Sequence, residues 1–311
     1  MTRRLWAGAT VGATALALVL AASLAPAAAA SPDRGLAWLL VIGSSVHVAS
    51  TGWLFAVPSV RIHAHRHPRR YLLAPTALVM AGALTTVSLP PATVRWLLLP
   101  WLGWQLLHFQ WQNLGLTALA HGALTPGDRR SITLAGAAGT AGALAEPRLL
   151  QLDVPLHLGL VHAGAGIVFA VVVVRALRTA RDPVHVQSLL FFTPVFLLHS
   201  PYAAVGSLTI AHGLQYLLLA GLVGAGPRPQ PHVVALSATG ALLAGIALNA
   251  ASHLHDSGPT GRLLYGAGLG AVMAHLVVDA GLWRQSRAFP RQLLRERVPW
   301  LAPTLEPCVT S

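Results

Sequence analysis

The chain is dominated by apolar stretches of about 20 residues, the length at which a helix crosses the hydrocarbon core of a bilayer. Only 10% of its 311 residues are charged and its mean hydropathy is +0.61, whereas a soluble domain carries about 25% charged residues. Water therefore cannot be the main solvent of this chain. We expect an all-α, polytopic membrane bundle of about ten transmembrane helices, over residues 5–30, 37–57, 71–90, 97–120, 131–146, 154–175, 184–200, 202–225, 232–252 and 263–283.

The N-terminus allows two interpretations. Arg3 and Arg4 precede an apolar run, and small residues lead up to Ser31, a pattern typical of a secretory signal cleaved after Ala30. The run is also long enough to span a membrane, and we favour an uncleaved first helix because many spans follow it. The expected organisation is a first transmembrane helix or signal sequence (1–30), a helical bundle (31–283) and a basic cytoplasmic tail (284–311).

Arginine placement predicts the orientation. All 21 basic residues are arginine, and cytoplasmic loops carry the excess of positive charge in membrane proteins. If the N-terminus is inside, 17 of the 21 fall in inner segments, and the outer ones are Arg34, Arg95, Arg148 and Arg262. We therefore expect a multi-pass protein of the cell membrane with both termini in the cytoplasm.

The formal charge of +12 does not indicate a nucleic-acid partner. The arginines lie in short runs between apolar stretches rather than on one solvated domain, so we expect the lipid bilayer to be the partner. The single cysteine, Cys308, allows neither an intrachain disulfide nor a CxxC motif.

Histidines are the most informative polar residues of this chain. Ionisable side chains inside a membrane span cost free energy and are commonly functional. Five of the 15 histidines fall at the ninth to thirteenth residue from the predicted outer ends of the even-numbered spans, and thus share a depth within about 6 Å. We predict that they form one layer of metal ligands: His47, His108, His162, His212 and His275. His162 is followed by Ala163 to Gly166, which equally favours close helix packing.

A second polar layer follows one helical turn further inward, because residues at i+3 and i+4 share a face. Its candidate catalytic residues are Gln112, Gln215, Tyr216 and Asp279. Asp279 is the one acidic residue that we place deep within a span. With His275 and His212 it would supply the two imidazoles and one carboxylate of many non-haem Fe(II) oxygenases. His108 and His47 would instead complete a site of four histidines.

Three classes of function remain open, besides separate packing roles for the histidines. The pattern favours a membrane-embedded oxidoreductase with histidine-bound non-haem iron, acting on a lipophilic substrate such as an isoprenoid or acyl chain. A haem protein would use histidine pairs as axial ligands. A proton-coupled transporter would use His275 and Asp279 as a relay. We expect an enzyme.

Overall fold

The structure, a computed structural model, describes residues 2–26, 31–122, 124–180 and 182–301. It is 82% helical, with no strand among these residues, which confirms the all-α prediction. Ala30, where the alternative cleavage site falls, and Cys308 lie outside the described residues.

Most helices follow one another with short connections, and the longer one between Ala145 and Gly159 contains a 3-10 helix, Pro147–Leu150. Three of the helices contain π-helical segments, at Val41–Val46, Arg69–Leu73 and Tyr202–Gly206. In chain order the helices are α1 Arg3–Leu24, α2 Arg34–Leu54, α3 Pro58–Arg66, α4 Arg69–Ser88, α5 Pro91–His121, α6 Pro126–Ala145, α7 Gly159–Leu177, α8 Pro183–Leu190, α9 Thr193–Leu197, α10 Tyr202–Ala225, α11 Pro231–Ser252, α12 Gly258–Leu282 and α13 Ala288–Arg297.

Among the described residues, seven helices are long and apolar enough to cross a membrane: α1, α2, α4, α7, α10, α11 and α12. The predicted continuous span over 184–200 is wrong. Residues there form the two short helices α8 and α9, with Pro194 in the first turn of α9, where its missing N–H is tolerated. Phe191 and Phe192 at the break are buried in the protein core rather than facing lipid.

Helix α5 is long enough to span but carries a buried polar face toward α6 and α8. The Gln110 side-chain amide donates to the carbonyl of Ile132 at 2.6 Å, and the hydroxyls of Thr117 and Ser188 lie 2.8 Å apart. Buried polar groups need such partners, because an unpaired one would cost free energy. The polar face keeps α5 inside the bundle.

The two ends of the described chain lie together. The Arg3 guanidinium donates to the carbonyl of Leu301 at 3.3 Å. Trp6, which is fully buried, packs in one apolar cluster with Val60 of α3 and Leu293 of α13. The beginning of α1, helix α3 and the C-terminal segment therefore share one face of the bundle.

Helices α4 and α12 pack along each other through glycines. A Cβ atom added at Gly82 would lie 3.1 Å from the backbone nitrogen of Gly270, and one added at Gly270 would lie 2.5 Å from Cα of Val79. Small residues at such contacts let membrane helices approach closely. The contact holds α12, which carries His275 and Asp279, against α4.

We predict that Gly270→Ala lowers the stability of the folded protein by about 1–3 kcal/mol, because the new methyl group forces the two backbones apart. The measurement is thermal unfolding in detergent, followed by size-exclusion chromatography. The matched control is Gly240→Ala in the middle of α11, where an added Cβ meets nothing within 4 Å. Equal stability of the two variants would contradict the proposed contact.

Candidate metal centre

Four of the five predicted histidines come together in the bundle, each from a different helix. His47 of α2, His108 of α5, His212 of α10 and His275 of α12 are 2%, 6%, 0% and 3% exposed. Their ring centroids are separated by 5.0 Å (His47–His212), 5.0 Å (His47–His275), 5.2 Å (His108–His212) and 5.8 Å (His108–His275). The four imidazoles thus form a closed ring of edge-to-face contacts, here called the histidine ring.

Asp279 lies beside the histidine ring, one turn after His275, and is 2% exposed. Its Oδ2 is 3.6 Å from Nε2 of His108 and 3.7 Å from Nε2 of His275. Its Oδ1 accepts a hydrogen bond from Nε1 of Trp283 at 3.0 Å. The carboxylate is therefore oriented from one side by Trp283 and faces two imidazoles on the other.

Two overlapping sets of ligand atoms are close enough to hold an ion. One is His47, His212 and His275, and the other is His108, His275 and Asp279; within each set the atoms lie within 4.8 Å of one another. Ligands bound at about 2.0–2.1 Å to one tetrahedral ion are separated by about 3.4 Å. Small side-chain movements would close either set on a metal ion.

Several ring nitrogens of the histidine ring have no hydrogen-bond partner among the described residues, although they are buried. They are Nδ1 of His47, Nε2 of His108, both nitrogens of His212 and Nε2 of His275. Most buried polar atoms in folded proteins are paired. A cation bound inside the ring would supply the missing partner.

Thr51 orients His275 from outside the ring. Its Oγ1 is 2.6 Å from Nδ1 of His275 and 3.0 Å from the hydroxyl of Tyr216. Such a bond to the remote ring nitrogen fixes the tautomer and the direction of the nitrogen that would bind metal. Phe109 stacks on His212 with centroids 4.2 Å apart and holds that ring in place.

A close backbone contact brings His47 and His212 together. The π-helical segment Val41–Val46 ends directly before His47, and such segments are frequent at functional sites. Within it, Gly43 lies against Gly213 of α10, where an added Cβ would be 2.6 Å from Cα of Gly43. Any larger residue at either glycine would separate the helices that carry these two histidines.

His162 lies outside the histidine ring. Its Nδ1–H donates to the carbonyl of Gly142 at 3.0 Å, and its ring packs on Phe196 with centroids 5.4 Å apart. The predicted five-membered layer therefore contains four members. Helix α7, which carries His162, packs against α6 rather than against the helices of the ring.

The other predicted residues divide between the ring and its surroundings. Tyr216 lies against the ring, with its centroid 5.1 Å from that of His275. Gln112 donates to the carbonyl of His212 at 3.1 Å and to Oε1 of Gln215 at 3.0 Å, and Gln215 donates to Thr14 of α1 at 2.9 Å. The two glutamines tie α5, α10 and α1 together.

The composition of the carboxylate set differs from the sequence prediction. Asp279 groups with His108 and His275, where the sequence analysis had put His212 in place of His108. His108 and His275 both approach the carboxylate through Nε2, whereas His212 lies between His47 and His108 in the ring. The sequence analysis also missed Trp283 and Gly43, although the i+4 rule applied to Asp279 finds Trp283.

Comparison with known proteins gives no family model, no curated protein and no solved structure that matches this chain.

We predict that Asp279→Asn weakens metal retention by about 10-fold or more, because the substitution keeps the shape of the side chain and removes the charge that faces two imidazoles. Metal content after dialysis against a chelator, measured by mass spectrometry of the element, checks this. The control is Asp256→Asn, a change at an exposed carboxylate beside His255. Equal retention in both variants would remove Asp279 from the site.

Proposed function

We propose that the chain is a membrane-embedded oxidoreductase in which the histidine ring and Asp279 hold non-haem iron and act on a lipophilic substrate such as an isoprenoid or acyl chain. The observation that carries this proposal is the set of unpartnered ring nitrogens that converge beside one buried carboxylate. A carboxylate held in an apolar interior needs a compensating positive charge. A divalent cation would supply that charge and also pair the nitrogens.

The donor set supports iron. Two imidazoles and one carboxylate that leave positions open are typical of non-haem Fe(II) oxygenases, and His108, His275 and Asp279 have this composition. His47 and His212 could supply further neutral nitrogen ligands. The described residues contain no cysteine, since the single cysteine of the chain, Cys308, lies outside them.

The packing of the ring argues against haem. A porphyrin needs a flat slot between its two axial ligands, but neighbouring imidazoles contact one another edge to face at 5.0–5.8 Å. Phe109 and Tyr216 pack on the rings from the sides. A compact ion fits this arrangement better than a planar cofactor.

Bound iron would supply the activation of dioxygen, and the protein supplies the surroundings. Thr51 fixes His275, Trp283 fixes Asp279, and Phe109 holds His212 in place. Burial of the ring excludes bulk water, which protects reactive species from side reactions. The hydroxyl of Tyr216, linked to His275 through Thr51, is a protein group beside the site that could hold or move a proton.

A proton-coupled transporter is the second candidate. The Tyr216–Thr51–His275 chain of hydrogen bonds ends at His275, whose Nε2 lies 3.7 Å from Oδ2 of Asp279. Together these groups have the composition of a proton relay. This function requires no metal, so the metal content of the purified protein distinguishes it from the oxidoreductase.

The proposed topology has ten crossings with both termini in the cytoplasm. Seven crossings would leave the chain ends on opposite sides, yet Arg3 contacts Leu301. The contact supports an even number. Helix α5 carries His108 through the layer of the other three histidines; α6 and the broken α8–α9 pair, both largely buried, would complete the ten crossings.

For topology, we expect reporter fusions in the segments of Arg66, Arg129 and Arg178 to read cytoplasmic, because cytoplasmic loops hold the arginine excess. Fusions near Arg148 and His255 should read external. Paired cytoplasmic and periplasmic reporters at each site provide the measurement. An external signal at Arg129 with a cytoplasmic one at Arg66 would show that α4 and α5 do not both cross.

For function, we expect purified protein to contain about one iron per chain and to show no Soret band. His47→Ala, His108→Ala, His212→Ala and His275→Ala should each lower iron content about 10-fold or more, since each removes a ligand while the protein still inserts. A visible spectrum and elemental analysis measure both properties.

Matched controls for these variants are His65→Ala in the exposed part of α3 and His162→Ala in α7, which should keep full iron content. A Soret band would replace the proposal by haem binding. Absence of metal together with substrate-dependent proton movement would replace it by transport.

A further inference from the structure

An apolar groove of about 520 Å³ runs along α12, between α4 on one side and α2 and α11 on the other. Its volume lies within the range of about 300–1,000 Å³ that takes one small ligand. Small side chains such as Ala271 and Ala274 line its length, and Thr51 and His275 line it at the level of the histidine ring. The groove therefore passes beside the candidate metal centre.

His275 connects the groove to the candidate metal centre. Its side chain is 2% exposed, its Nε2 has no hydrogen-bond partner among the described residues, and it belongs to both candidate ligand sets. Metal bound by this imidazole would lie close to a molecule in the groove. A small-residue groove alone would indicate only close packing, but this groove is lined by a member of the histidine ring.

The length of the groove indicates where a bound molecule would lie relative to His275. From Leu264 to Val278, both lining residues, the groove covers 14 residues of α12, or about 21 Å. His275 is three residues from Val278, about 5 Å from that end. A chain that fills the groove therefore meets His275 close to the end at which Tyr71 and Val278 lie.

A basic cluster lies at this same end. Arg70, next to Tyr71, donates through Nε and one NH₂ group to the carbonyl of Val277 at 3.3 Å. His63 stacks on Phe289 of α13 with centroids 3.7 Å apart and planes at 2°. Helices α3, α4, α12 and α13 thus meet at the end of the groove.

The charges in this cluster are positive. Burial lowers the pKa of His63, and the positive charges of His67, Arg287, Arg66 and Arg70 lower it further. No carboxylate contributes to this effect among the described residues. Arginine is suited to carboxylate and phosphate groups because its planar fork donates two parallel hydrogen bonds.

We propose that the groove and the basic cluster form one binding site for a single-chain amphiphile, whose anionic carboxylate or phosphate head lies at Arg70 and Arg287 and whose hydrocarbon chain lies along α12 past His275. This binding site deepens the proposed function, and oxidation of the hydrocarbon chain beside His275 rests on that function. It identifies the substrate class as an anionic single-chain lipid that meets the metal centre near its head rather than at its far end.

The experiment uses full-length protein in a neutral detergent and a palmitic acid analogue with a photoreactive diazirine in its chain. Cross-linked peptides are identified by mass spectrometry, and palmitate and methyl palmitate serve as competitors. We expect labelling within the groove-lining segments 48–55, 71–79, 244–251 and 264–278, and at least 10-fold stronger competition by palmitate than by methyl palmitate. Labelling spread over other helices, or equal competition by the ester, would overturn the proposal.

Variants test the two halves of the site. Ala271→Leu fills the groove and should reduce labelling at least 5-fold, whereas Ala247→Leu, on an exposed position of α11 outside the groove, should not. Arg70→Gln and the exposed Arg287→Gln should each reduce the preference for palmitate over its ester at least 3-fold. Arg178→Gln, directly after α7, should leave this preference unchanged. Equal effects of Ala271→Leu and Ala247→Leu would overturn the groove as the binding site of the hydrocarbon chain. Equal effects of the arginine variants and Arg178→Gln would overturn the basic cluster as the binding site of the anionic head.

Asp279→Asn separates this inference from the proposed function. It should keep palmitate labelling while losing metal, since binding of the chain needs no metal. Normal labelling of a protein that never contains iron would refute the oxidoreductase and leave the lipid site standing. Protein that contains iron but shows no labelling of the groove would refute the lipid site and leave the oxidoreductase standing.

Discussion

Placing four imidazoles and a carboxylate in an apolar interior is the constraint on which the rest of the structure depends. Polar groups buried without partners cost free energy, and the surrounding helices hold these side chains in place although several ring nitrogens have no hydrogen-bond partner among the described residues. Thr51, Trp283 and Phe109 each hold one member of the site. The buried amides of α5 form a second polar layer that links it to α6, α8 and α10.

Small residues make this arrangement geometrically possible. Gly43 and Gly213 allow α2 and α10 to touch through their backbones, and Gly82 and Gly270 do the same for α4 and α12. Helices that carry His47, His212 and His275 are thereby fixed at distances that side-chain packing alone would not allow. Function and fold therefore share the same glycines, and a change that relaxes these contacts also widens the histidine ring.

The two sides of the site differ in their surroundings. Helices α5 and α10 close the ring inside the protein through Phe109 and the glutamine network, whereas His275 of α12 lines the groove. Under the proposed function, a lipophilic molecule would approach the candidate metal centre through this groove without opening the bundle. The charged end of an amphiphile would then lie at the basic cluster of Arg70 and Arg287.

The sequence by its local properties was enough to predict an all-helical chain with apolar segments long enough to span a bilayer, because apolar run length is read directly along the chain. Helical rise also predicted a common level for the histidines, and four of the five come together. Depth does not determine which helices are neighbours. The grouping of Asp279 with His108, the exclusion of His162 and the break between α8 and α9 therefore depended on tertiary packing. The close approach of Gly43 to Gly213 and the groove beside His275 likewise arise between segments far apart in sequence, where only the folded chain brings the atoms together.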